Sequence, residues 1–126
     1  MKKELVIKKC LKCGSLIEII NDCNCEECGI MCCGEKMMEI KPNTIDASFE
    51  KHVPTYEIKD NRIYVTVNHV MEEEHYIEWV AMVNEGRECV TYFKPGNEAK
   101  THFKYIPGAT IYAYCNKHEL WKTEVK

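Results

Sequence analysis

Seven of the nine cysteines of this chain lie between Cys10 and Cys33, whereas all five histidines fall between His52 and His118. That division constrains the fold more than any other feature. The stretch from residue 1 to 39 has too little apolar material to close a core alone, and modules of that size need a metal or disulfides. Leu5-Val6-Ile7 and Leu16-Ile17-Glu18-Ile19-Ile20 read as short strands on either side of Cys10-Leu11-Lys12-Cys13-Gly14. Cys10-x-x-Cys13-Gly14 has the spacing of a metal knuckle, with glycine free to turn backbone amides toward the thiolates. Cys32-Cys33, followed by Gly34-Glu35-Lys36-Met37, offers a second pair; adjacent cysteines bridge each other poorly but can share one ion. Between the pairs, Asn21-Asp22-Cys23-Asn24-Cys25-Glu26-Glu27-Cys28-Gly29 repeats the knuckle spacing at Cys25-x-x-Cys28. It reads as a polar loop with spare thiols, or else as further ligands or an oxidation-sensitive disulfide. Spacing alone does not choose which four of the seven bind.

The odd cysteine count, and the absence of an export signal in Met1-Lys2-Lys3-Glu4-Leu5-Val6-Ile7, favour metal ligation in a reducing, cytoplasmic compartment. With 126 residues there is room for one main core plus a small appended module. The formal charge of −3 gives no reason to expect nucleic acid or an anionic membrane as partner. No apolar run approaches the ~20 residues of a membrane span. Lys41-Pro42-Asn43-Thr44 reads as a linker, dividing a module at 1–39 from a domain at 40–126. Beyond it, Arg62 to Val67, Tyr76 to Val83, Cys89 to Phe93, Thr101 to Tyr105, Thr110 to Tyr114 and Leu120 to Val125 alternate with period two. Lys59-Asp60-Asn61, Asn84-Glu85-Gly86, Lys94-Pro95-Gly96-Asn97 and Pro107-Gly108 punctuate them. Six or seven strands so spaced predict an all-β chain built on an antiparallel sandwich. No segment shows a helical period, and Cys89 is expected to be a buried strand residue.

Cys115-Asn116-Lys117-His118 follows the alternating run Thr110-Ile111-Tyr112-Ala113-Tyr114, so a strand entering a short loop aims a thiol and an imidazole at one point. Sulfur with imidazole suits zinc, copper or iron rather than magnesium or calcium. Two donors do not hold a transition metal, and His52, His69 and His75, all at expected strand ends, are the candidates to complete the set. His52, in Phe49-Glu50-Lys51-His52-Val53-Pro54, is expected in an exposed, extended loop before proline. His102, inside an alternating strand, reads as an ordinary surface histidine.

Taken together, these motifs resemble the desulfoferrodoxins, the two-iron class of superoxide reductases. The residues that carry the likeness are Cys10-x-x-Cys13-Gly14, Cys32-Cys33-Gly34-Glu35-Lys36-Met37, Glu50-Lys51-His52-Val53-Pro54, the His69 to His75 interval, and Cys115-Asn116-x-His118 with Leu120-Trp121. The resemblance implies a desulforedoxin-like module binding iron through Cys10, Cys13, Cys32 and Cys33, followed by an immunoglobulin-like sandwich. In that sandwich it implies a catalytic iron with His52, His69, His75 and His118 in the equatorial plane and Cys115 on the axis. It further implies one-electron reduction of superoxide to hydrogen peroxide, a rubredoxin-like electron donor and a homodimer. Lys51 is then expected to attract the anion, Glu50 to fill the open position in the oxidised state, and Asn116 to donate toward the thiolate. Two departures stand out: the loop from Cys23 to Cys28 is outside the usual pattern, and Glu119 stands where the family commonly has glycine. The competing expectations are a non-catalytic iron electron carrier and a zinc-ribbon binding module.

Overall fold

The structure is a computed structural model describing residues 4–25 and 29–126. Contacts divide it into a small unit, Leu5–Lys41, and a larger one comprising Pro42–Lys126. Among the described residues no helix is long and apolar enough to cross a membrane.

The small unit holds β1 (Ile7–Lys9), β2 (Leu16–Glu18), β3 (Met31–Cys32), β4 (Glu35–Lys36) and β5 (Met38–Ile40). β1 is the centre of an antiparallel sheet ordered β2-β1-β5, and β3 and β4 form a separate hairpin. Among the described residues its buried apolar side chains are Leu5, Ile7, Met37 and Ile40, and Cys10 is buried as well. The β3–β4 connection is the two residues Cys33 and Gly34, both at positive φ (54° and 78°). That twist matches the strands it joins and favours glycine at such positions. It also presents adjacent cysteines on a fixed turn.

The large unit holds α1 (Phe49–His52), β6 (Thr55–Lys59), β7 (Arg62–Thr66), β8 (Ile77–Val83), β9 (Glu88–Tyr92), β10 (Lys100–Lys104), β11 (Thr110–Cys115) and β12 (Glu119–Glu124). Two antiparallel sheets, β10-β7-β6 and β12-β11-β8-β9, make the expected sandwich. Alternation decides which side chains face inward: Ile63 and Val65 of β7 are buried, while Arg62 before them and Tyr64 between them are exposed. They meet Ile77, Val80 and Met82 of β8 and Ile111 and Ala113 of β11 in one core. β11 is buried along its whole length, and Cys115, its last residue, belongs to that core. The β8–β11 register slips between Tyr114 and Cys115, so Cys115 pairs with Ile77 and Glu78 is skipped. Such a bulge bends a strand and re-aims its side chains, commonly beside a functional site.

Three expectations need correction. β6 was not among the expected strands; it is an edge strand with mostly exposed residues, so it lacks an apolar stripe. Cys89 lies on a strand as expected but is exposed, because β9 is also an edge. His52 is neither exposed nor extended: it ends the single helical turn α1 and is 4% exposed. The residue that proline restricts is its immediate predecessor, Val53, which is extended at φ −72°, ψ 125°.

Candidate metal centres

One end of the sandwich gathers four imidazoles and a thiol. His52 ends α1, His69 follows β7, His75 precedes β8, Cys115 ends β11 and His118 lies in the β11–β12 turn. One donor atom from each of these five residues lies within 4.8 Å of all the others. His52 Nε2 is 3.0 Å from His118 Nδ1. Cys115 Sγ is 3.4 Å from His69 Nε2 and 3.9 Å from His118 Nδ1. The rings follow one another in a closed order: His52–His69 at 4.8 Å, His69–His75 at 4.5 Å, His75–His118 at 5.1 Å and His118–His52 at 4.8 Å between centroids. Each crosses its neighbour steeply, at 69° to 90°.

Backbone carbonyls select which nitrogen faces the centre. His52 Nδ1 donates to Ser48 O at 2.6 Å, and His69 Nδ1 donates to Val70 O. A carbonyl only accepts, so the proton sits on Nδ1 and the Nε2 lone pair points inward, as metal-ligating histidines require. Burial favours the neutral form of His52, His69 and His75. It lowers the pKa of His52 and His75, and that of His69 to about 4, with smaller contributions from the other rings. The same burial pushes the Cys115 thiol up, opposed by the backbone amides of Lys117 and His118. His75 Nε2 is buried without a hydrogen-bond partner among the described residues. A buried ring nitrogen left without a partner costs free energy unless a cation uses its lone pair. Nitrogen and sulfur donors so arranged fit iron or another borderline-soft transition ion.

Neighbouring groups hold this arrangement. Asn116 does not reach the thiolate, contrary to expectation: its Oδ1 accepts from Tyr76 N at 3.0 Å and its Nδ2 donates to Glu74 O at 3.0 Å. It thereby ties the β11–β12 turn to the segment carrying His75. Cys115 Sγ instead faces the backbone amides of Lys117 and His118, the latter donating to it at 3.4 Å. Trp121, fully buried, stacks on His52 at 4.8 Å and 25°. The sequence marked this tryptophan only as part of a motif; nothing in its spacing from His52 announced the contact.

The second cluster lies within Leu5–Lys41. Donor atoms of Cys10, Cys13, Cys32 and Cys33 all lie within 4.8 Å of one another. Gly14, at φ 81°, closes the first knuckle by donating to Cys10 O at 2.9 Å, and Cys13 N donates to Cys10 Sγ at 3.5 Å. Cys13 Sγ is 3.6 Å from Cys32 Sγ. The Ser15 hydroxyl and amide draw the Cys13 pKa down to about 6, whereas crowding by Cys10 and Cys13 drives Cys32 up to about 12. Four thiols this close do not all ionise unaided; a bound cation removes the conflict.

His102 is an exposed side chain on β10 bonded to Arg62, and it stands apart from both clusters. Glu50 and Lys51 are exposed on α1 and contribute no donor to the five-residue group. Lys51 does act on it electrostatically, lowering the pKa of His52. Cys23 is disulfide-bonded and Cys25 is an exposed thiol; Cys28 lies outside the described residues.

Comparison with known proteins agrees with both clusters. A protein of Archaeoglobus fulgidus described as a desulfoferrodoxin homolog is 35% identical over 98% of this chain and 99% of its own length. The desulfoferrodoxin of Nitratidesulfovibrio vulgaris is 37% identical with the same coverage. In fold, the superoxide reductase of Treponema pallidum superposes with a TM-score of 0.72 at 24% identity, covering 96% of this chain and 99% of that one. The desulfoferrodoxin family model matches residues 44–124, and with those relatives spanning nearly its whole length, the chain belongs to the desulfoferrodoxin family.

Proposed function

We propose that this chain is a superoxide reductase, which adds one electron and two protons to superoxide to give hydrogen peroxide. The observation that carries the reading is the convergence of His52, His69, His75, His118 and Cys115 on one point. This group and the four-thiol group match the two iron sites of the family. We assign Cys10, Cys13, Cys32 and Cys33 to the iron of the module at 1–39, and the other five residues to the iron of the catalytic domain at 40–126.

Iron held by the five would supply the electron and bind the anion. The remaining work belongs to the chain. Ser48 O and Val70 O fix two imidazoles with their lone pairs inward, and His118 N–H steadies the sulfur. Lys51, exposed one residue before His52, offers an ammonium that draws superoxide in. By the family resemblance, Glu50 beside it would be the carboxylate that takes the anion's place once the iron is oxidised. Water at this exposed turn delivers the protons. A rubredoxin-like protein restoring the electron and a homodimer complete the reading on the family resemblance, and a cytoplasmic location on the clustered cysteines, whose spacing suits metal binding in a reducing compartment.

The test is to expose the reduced protein to superoxide while following peroxide and dioxygen. One peroxide per superoxide without dioxygen is expected. Release of dioxygen would mean dismutation, and iron that cycles without hastening superoxide loss would mean an electron carrier.

A further inference from the structure

Glu50 and Lys51 ride on α1, a helix of four residues, Phe49–His52, whose N-cap residue Ser48 makes no side-chain cap bond. So short a helix has no stability of its own. Its internal bonds are few: Val53 N donates to Phe49 O at 2.9 Å and Lys51 N to Ser48 O at 3.3 Å. Aromatic contacts supply what is missing. Trp121 is fully buried and pinned, its Nε1–H donating to His118 O at 2.9 Å. It meets both ends of the turn: His52 stacks on it at 4.8 Å, and Phe49 meets it edge-on at 5.2 Å with planes at 82°. Phe49 is 55% exposed, so burial of apolar area is not what the ring chiefly provides. An edge-to-face contact adds a directional preference beyond area. His52 has a second anchor in the metal cluster and a third in Ser48 O; the leading end of the turn has Phe49.

We propose that Phe49 is a positioning residue: by gripping Trp121 it fixes the helical turn that carries Glu50 and Lys51, and so sets how those two charges face an incoming anion. This rests on the reading of Lys51 given above and deepens it. Phe49 touches neither iron nor substrate and acts through the turn.

The experiment uses the iron-loaded full chain and two readouts. Hydrogen exchange of the peptide covering 48–54 should become roughly threefold to tenfold faster in Phe49→Ala, the loss expected for one aromatic pair. The peptide covering 110–115 should not change, and Phe49→Tyr should restore the first peptide. In superoxide consumption, Phe49→Ala should lose part of its ionic-strength dependence, as Lys51→Ala does. The double variant should then be little slower than Lys51→Ala alone, since coupled sites do not add. Unchanged exchange in 48–54, or equal acceleration in both peptides, overturns the proposal, as do rate effects of the two substitutions that multiply independently. If the wild-type protein does not consume superoxide, the enzymatic reading fails, and the exchange data still decide whether Phe49 holds the turn.

Discussion

At φ +61°, Glu119 adopts a left-handed backbone that costs an L-residue about 1–2 kcal/mol. It follows the three-residue loop Asn116-Lys117-His118, where hairpins of this length place a glycine to begin a bulge. The physical reason for glycine here is therefore the dihedral, and Glu119 bears the strain next to His118. Glu119→Gly should stabilise the protein by up to about 1 kcal/mol, glycine's own entropy offsetting part of the relief; a lowered denaturation midpoint would refute this. His69 gives a second expectation at this scale. Its folded pKa of about 4 lies below the unfolded value of 6.5, so between those values the unfolded chain binds more protons. In metal-free protein the contribution is complete above pH 6.5, declines as pH falls toward 4 and flattens below. A proton resonance of His69 titrating near 4, alongside a falling unfolding midpoint, is the expected result. Titration near 6.5 would show that the ring is not desolvated.

The end of β11 and its turn into β12 do more than any other segment, supplying Cys115, His118 and the Asn116 amide within four residues. Asn116 bridges Tyr76 N and Glu74 O, so it fixes His75 and His118 relative to each other without touching metal. Asn116→Ala should weaken iron binding at this site by roughly 10–100-fold, the usual cost of losing an outer support. A chelator competition followed by visible absorbance measures it, and unaltered affinity would remove the bridging role. This turn was legible because a clean period-two strand ended in cysteine and histidine, and β7 was legible for the same reason at Ile63 and Val65. α1 was not: a single turn is too short to display a 3.6-residue period, and the burial of His52 depends on Trp121, far away along the chain. β6 was hidden because an edge strand with little to bury carries no alternation. At Cys89 the strand could be read but not its exposure, since the sequence does not say which strands become edges. The five site residues were legible as donors, while the carbonyls of Ser48 and Val70 that orient two of them have no signature in side-chain identity.

Among the described residues the two clusters share no ligand, one drawing on Leu5–Lys41 and the other on Pro42–Lys126. Their dependence on metal should nevertheless differ. The small unit encloses a handful of apolar side chains, so the ion there contributes folding free energy directly. The sandwich closes over Ile63, Val65, Ile77, Val80, Ile111 and others, a core that does not include the imidazoles. Cys13→Ser should therefore lose one iron and also open the small unit, with protease cutting inside 5–41 while 42–126 stays intact. His75→Ala should lose the other iron and its visible band, keep the band of the four-thiol site, and leave the sandwich resistant to protease. Metal analysis should find one iron per chain in each variant. If either substitution removed both irons, the two sites would not be independent. If His75→Ala unfolded the sandwich, its metal would be structural, and the packed core would not be what holds that unit together.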